Sequence, residues 1–251
     1  MKLSKCIGKV LKKASIIGSA AFLFAASPAV TANAEGERPE ADPSKGVTYD
    51  INEVTGVVNN YNCNGNSVII TTVKVDGTDY LNIYIDKDAD GEIDEDESPV
   101  ELPSATSPDS SEKSPNLETG YVIYGAVSSK VTNPFTITVM DSQSGINKGI
   151  YGTVSSEVLA DITLNVKNVT SNYDIAALYG GTTQTGNVTV NVEESTLGSL
   201  YGVSNGCTLS GEVNVDISTT NVKNVYGIYG GSTCNGDVSV TVDEYSGSYS
   251  S

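Results

Sequence analysis

Residues Asp86 to Glu97 read Asp-Lys-Asp-Ala-Asp-Gly-Glu-Ile-Asp-Glu-Asp-Glu, a spacing suited to gripping a hard cation. Carboxylates stand at positions 1, 3 and 5 of the run (Asp86, Asp88, Asp90), at position 9 (Asp94) and at position 12 (Glu97). Calcium takes about six to eight oxygen ligands, and a terminal glutamate supplies two of them. Gly91 at position 6 allows the sharp turn that brings the ends together, and position 7 offers the Glu92 carbonyl. Ile93 follows, where an apolar side chain anchors such a loop. The reading is a structural Ca2+ site on Asp86, Asp88, Asp90, Glu92, Asp94 and Glu97. The plainer alternative is a solvated acidic hairpin.

This run resembles the twelve-residue EF-hand calcium loop at each diagnostic position. Its flanks differ, since a strand-like segment (Leu81 to Ile85) precedes it and Ser98-Pro99 follows. The loop is therefore similar to the isolated calcium loops of bacterial extracellular proteins, and a structural role is expected, because no helix pair is present to open.

Other chemistries are narrowed by composition. The 251 residues include no histidine, which removes His-based triads and His-ligated zinc. The formal net charge is −17, repelling nucleic acid and anionic membranes while attracting divalent cations. Residues 1–34 read as a secretory signal peptide: Lys2, Lys5, Lys9, Lys12 and Lys13 make a basic start, Ala14 to Val30 is apolar, and Ala32-Asn33-Ala34 supplies the cleavage site. A secreted location at the bacterial cell surface or beyond is thus expected, with no membrane insertion after cleavage. Cys63, Cys207 and Cys234 remain, too few for a disulfide scaffold. Cys207 and Cys234 lie two positions apart in the repeat register described next, which leaves open either a bond across adjacent coils or two separate thiols.

The elements that carry the loop are β-rich. Residues 35–45 are polar and read as a flexible leader, and 46–97 read as a small β region. There Ser67 to Val75 and Tyr80 to Ile85 form a hairpin around Asp76-Gly77. Residues 98–119 carry four prolines among serines and read as an exposed linker. From 120 to 251 the chain repeats. Val188/Val190/Val192, Val213/Val215/Ile217 and Val238/Val240/Val242 follow one another at 25 residues, with Ile162/Leu164/Val166 and Phe135/Ile137/Val139 upstream at 26 and 27. Alternation within each triplet is a strand with one buried face, and a fixed period of this length marks a solenoid. The expected fold is all-β, a parallel β-solenoid of about five coils. Tyr-Gly pairs recur between triplets (Tyr124, Tyr151, Tyr179, Tyr201, Tyr226, Tyr229), read as stacked rings followed by corner glycines in the left-handed conformation.

The strings Leu178-Tyr179-Gly180-Gly181 and Ile228-Tyr229-Gly230-Gly231, each followed by an alternating valine strand, resemble the Tyr-Gly-Gly repeats of secreted, adhesin-like β-solenoid surface proteins of Gram-positive bacteria. The likeness covers about half the chain and implies a structural or adhesive envelope role. No Leu-Pro-x-Thr-Gly sorting signal or terminal membrane segment accompanies it, so wall anchoring does not follow. An outward strip (Thr136, Thr138, Thr163, Asn165, Thr189, Asn191, Asn214, Ser239, Thr241) suits glycan contacts, and equally suits ordinary solvation. The expected protein is non-enzymatic, with glycans or a host or cell-envelope surface as partner and end-to-end self-association through open coil edges. The alternative is a β-helix polysaccharide lyase or hydrolase. Asp161, Glu212 and Asp237 share one repeat position, but Asn187 interrupts that row, and basic residues are sparse.

Overall fold

The structure is a computed structural model, and it describes residues 38–51, 58–75, 78–102, 122–142, 149–218 and 220–243. The expected signal peptide, the expected turn at Asp76-Gly77 and most of the expected linker lie outside the described residues. Among those described there is no α-helix, and a 3-10 turn (Pro43–Lys45) precedes the first strand. Strands β1 (Thr48–Ile51) and β2 (Val58–Asn62) follow, then the hairpin of β3 (Val68–Val75) and β4 (Thr78–Ile85).

Five coils succeed them, each with three faces. The first is β5 (Val122–Val127), β6 (Lys130–Val131) and β7 (Phe135–Ser142). The second is β8 (Ile150–Val154), β9 (Glu157–Val158) and the first half of β10 (Ile162–Tyr179). The rest of β10 bends round the corner to begin the third coil, continued by β11 (Thr183–Gln184) and β12 (Val188–Glu193). Coils four and five are β13 (Thr196–Val203), β14 (Thr208–Leu209), β15 (Val213–Ser218), and then β16 (Asn221–Ile228), β17 (Thr233–Cys234), β18 (Val238–Asp243).

Every coil-to-coil pairing among the described strands is parallel, and the triplet face keeps one register from coil to coil, so the expected β-solenoid is what the chain forms. Ile162 pairs with Phe135 and Val188, Val188 with Val213, and Val213 with Val238. On the second face Tyr124 pairs with Tyr151, and Tyr201 with Tyr226. On the short face Thr183 pairs with Glu157 and Thr208. Triplet residues point inward: Ile137, Leu164, Val190 and Val215 are fully buried. Each such aliphatic contributes about 1.5–3 kcal/mol relative to exposure, which makes this stripe the main driving force for stacking.

The 46–97 region continues the stack and closes its first end. Strand β2 pairs parallel with β5, and β3 parallel with β7, placing Val68 on Ile137. Antiparallel β1 then covers β2, and antiparallel β4 covers β3. An uncovered parallel edge would offer unpaired N–H and C=O groups, and a reversed strand ends the pattern without inviting another coil. The leader also departs from expectation. Lys130 N donates to Pro39 O at 2.8 Å and Ala41 N donates to Lys130 O at 2.8 Å, so residues 39–41 cover the short face at β6. The start of the linker docks as well: Val100 N donates to Ile83 O at 2.7 Å, and Leu102 enters the core. In both segments backbone pairing provides the anchorage, and side-chain composition gives no sign of it.

The Tyr-Gly glycines need a correction. Gly125, Gly152, Gly202 and Gly227 do not adopt positive φ; Gly180, Gly181, Gly230 and Gly231 do, at 64° to 77°. The first group is small because a neighbour is close. A Cβ on Gly152 would lie 2.3 Å from the Ala177 carbonyl oxygen, and one on Gly125 would lie 2.6 Å from the Phe135 ring.

Candidate metal centre

The acidic loop leaves β4 at its last residue and hangs against the outer side of the triplet face. Asp86 N donates to Ser67 O at 3.0 Å, which pins the loop to the start of β3. Ala89 and Gly91 both take positive φ, 60° and 82°, and fold the carboxylates toward one another. Lys87 N donates to Glu97 Oε1 at 2.8 Å, closing the twelve-residue ring, and Gly91 N donates to Asp86 Oδ2 at 3.0 Å. Glu92 N donates to Asp90 Oδ1 at 2.8 Å. The Lys87 ammonium pairs with Asp96 at 2.6 Å, outside the ligand set.

Two carboxylate groups result, sharing Asp88. Oxygens of Asp86, Asp88 and Glu97 lie within 4.8 Å of one another, and so do those of Asp88, Asp90 and Asp94. That spread is about twice a calcium–oxygen bond of ~2.4 Å, so a central ion would reach every member. The sequence-chosen Asp86, Asp88, Asp90, Asp94 and Glu97 are therefore brought together. Glu92 was chosen for its carbonyl, and its side chain joins neither group. Ile93 is exposed on a groove instead of anchoring the loop.

Electrostatics show what the cluster costs without a cation. Asp86 is only 3% exposed, and its Oδ1 has no hydrogen-bond partner. Burial raises its pKa above the ordinary aspartate value, opposed by the backbone donors Gly91 and Ala89 and reinforced by Glu97 and Asp90. Asp94 is raised too, by desolvation first and then by Asp88, Asp90, Glu97 and Asp96. A buried, unpartnered carboxylate oxygen aimed among like charges is a donor set suited to a hard divalent ion.

Sequence reasoning missed what the loop rests on. The Gly91 Cα approaches β7 and β10 so closely that a Cβ would sit 3.0 Å from Thr138 Oγ1 and 3.8 Å from Asn165 Nδ2. An open groove of about 730 Å3 begins there and follows the triplet face past Asn191 and Asp216 to Thr241. Its floor is a side-chain ladder: Asn165 donates to Thr138 at 3.4 Å, and Asn191 donates to Asn165 Oδ1 at 2.9 Å.

Other candidate residues serve the stack. Asp161 Oδ1 accepts from Asn187 N at 2.7 Å and Asn187 Oδ1 from Glu212 N at 3.0 Å, so the interrupted acidic row caps successive coils. Tyr151 packs on Tyr124 and Tyr179 at centroid distances of 6.0 and 4.5 Å, and Tyr201 on Tyr226 at 5.2 Å. Tyr179 is out of register with that column. Ala176 holds the register position, and the Tyr179 ring leans back to cover Tyr151. Two buried corners carry hydroxyl columns that the period alone did not reveal. Val169 N donates to Ser195 Oγ at 3.0 Å and Ser195 N to Thr220 Oγ1 at 3.4 Å. Ser129 N donates to Ser156 Oγ and Ser156 N to Thr182 Oγ1 at the other corner. Cys207 occupies the second column and forms no disulfide with Cys234; the three cysteines among the described residues, Cys63, Cys207 and Cys234, are free thiols.

Compared with protein-family models, curated proteins and solved structures, this chain matches none of them.

Proposed function

We propose that this protein is a non-enzymatic structural or adhesive protein of the bacterial cell surface or exterior, whose first coils are fastened by a calcium ion. The buried Asp86 Oδ1 without a partner carries the calcium reading, because a fully solvated acidic hairpin would leave no such atom. The loop joins β4 to Pro99 and Val100, so an ion held by Asp86 and Glu97 ties both edges of the cap together. Calcium acts here on stability, with no moving helix pair among the described residues.

The non-enzymatic reading is supported by how the solenoid's acids are employed. Asp161 caps the next coil, Glu193 pairs with Lys167 at 3.0 Å, and Asp174 is shifted by burial and Ser199 with no neighbouring carboxylate involved. Glycoside-cleaving sites pair two carboxylates across a bond. The outward Thr/Asn ladder and its groove are the surface we assign to glycan or envelope contact.

Thermal unfolding of the full chain in calcium and in chelator tests the first part. Saturating calcium at ~100 Kd adds about 2.7 kcal/mol, and a chain of this size then melts about 5–10 °C higher. An unchanged melting temperature, with no heat in titration calorimetry at millimolar calcium, would dismiss the site. Incubation with acidic and host polysaccharides tests the second part: retention without cleavage supports adhesion, and released oligosaccharides would overturn it.

A further inference from the structure

The groove beside the acidic loop is floored by two outward columns of the triplet face, and the hydrogen bonds of the first run in one direction. In register, Thr138, Asn165, Asn191 and Asp216 form one column, and Lys167, Glu193 and Ser218 form the other. Asn165 Nδ2 donates to Thr138 Oγ1 and Asn191 Nδ2 to Asn165 Oδ1, so each amide directs a donor at the coil before it. The series ends on acceptors. Among the described residues no side chain donates to Asn191 Oδ1, and next in register stands Asp216, exposed, whose carboxylate only accepts. Two acceptors thus lie side by side on adjacent coils, about 4.8 Å apart along the stack, with no donor between them. The charge of the lining points the same way. Asp90, Glu92, Glu193, Asp216 and Asp243 line the groove against a single cation, Lys167. Lys167 is engaged by Glu193 at 3.0 Å, which leaves Asp216 without a cationic partner among the described residues.

We infer that the groove takes an amino-sugar chain, with an unacetylated ammonium seated between Asn191 Oδ1 and the Asp216 carboxylate. The inference rests on the glycan-contact role proposed for this face and names the class of glycan. An ammonium brings three N–H donors. At about 2.8 Å from each acceptor it bridges oxygens up to about 5.6 Å apart, enough for one coil step. Acetylation replaces the cation by a neutral amide with one N–H, which cannot serve both acceptors. Uronic and sialic acid chains are repelled by the same carboxylates. A lysine-rich peptide offers the charge too, but on an apolar stem. The hydroxyls of a pyranose both donate and accept, as the polar floor around Thr138 and Ser218 requires.

Titration calorimetry of the full chain in calcium, with a glucosamine tetrasaccharide and its fully N-acetylated form, tests this. Physiological ionic strength screens the general attraction between an acidic chain and any cation. The expected result is binding of the free-amine sugar, weakened by roughly tenfold or more by N-acetylation and equally by Asp216→Asn. The Asp216 side chain is exposed, so that variant keeps the far-UV spectrum and melting temperature of the parent. Glu212→Gln removes an exposed charge outside the groove and leaves binding unchanged. Equal binding of the two sugars, an indifferent Asp216→Asn, an equal loss in Glu212→Gln, or a tri-lysine peptide bound as tightly would overturn the inference. Retention of the N-acetylated sugar alone would overturn it too, while leaving the adhesive reading in place. If neither sugar nor any polysaccharide is retained, the adhesive reading falls and this inference with it.

Discussion

Asp86 answers to two opposed demands. Its backbone fixes the loop to β3, while its side chain carries charge into a place where burial and Glu97 both resist ionisation. Replacing it by asparagine removes the charge and keeps the shape. Asp86→Asn should melt in chelator at or above the parent temperature, and should lose the calcium-dependent rise altogether; differential scanning calorimetry in both buffers measures the pair. A variant that lost stability equally in both would point to the backbone anchor instead. The clustering of these carboxylates was legible in the sequence because their spacing is a local pattern, complete within twelve consecutive residues. Its support was not, since Thr138 and Asn165 come from strands more than forty residues away, and no local rule couples them to Gly91.

Between coils, the determinants are columns. The aliphatic column could be read from period-two alternation, because burial on one face leaves that trace in any strand. The corner columns could not: a serine at a corner looks like turn chemistry until Ser195 Oγ is seen taking the Val169 N–H while its own hydrogen goes to Glu193 O at 2.7 Å. The Tyr-Gly glycines misled for a related reason. Tyrosine followed by glycine suggests a bend, whereas Gly152 is small because the Ala177 carbonyl lies directly over it. Gly152→Ala should therefore cost about 1–3 kcal/mol by overpacking, although alanine is the better residue for an ordinary strand. Ser195→Ala should cost about 1–3 kcal/mol by leaving buried Val169 N without an acceptor. Chemical denaturation of each variant measures both, and a neutral Gly152→Ala would mean that the coils separate easily.

Across the described residues, the first end of the coil stack is finished by strands of reversed direction. Residues 38–102 supply the finish, which explains why segments of unlike composition (leader, hairpin, acidic loop and linker start) belong with the coils in a single unit. Composition sets these segments apart because it reports side chains, and their described parts are joined through main-chain bonds. The coil period itself has a further consequence. Residues 188 to 212 form one repeating cassette, meeting identical register at Val188 and Val213. A tandem duplicate of that cassette, inserted after Glu212, would find matching partners above and below, adding about 4.8 Å to the stack of coils. Small-angle scattering and melting of such a construction-by-duplication should show a longer particle no less stable than its parent. Reach, in a molecule of this kind, is a quantity that gene slippage can adjust one rung at a time.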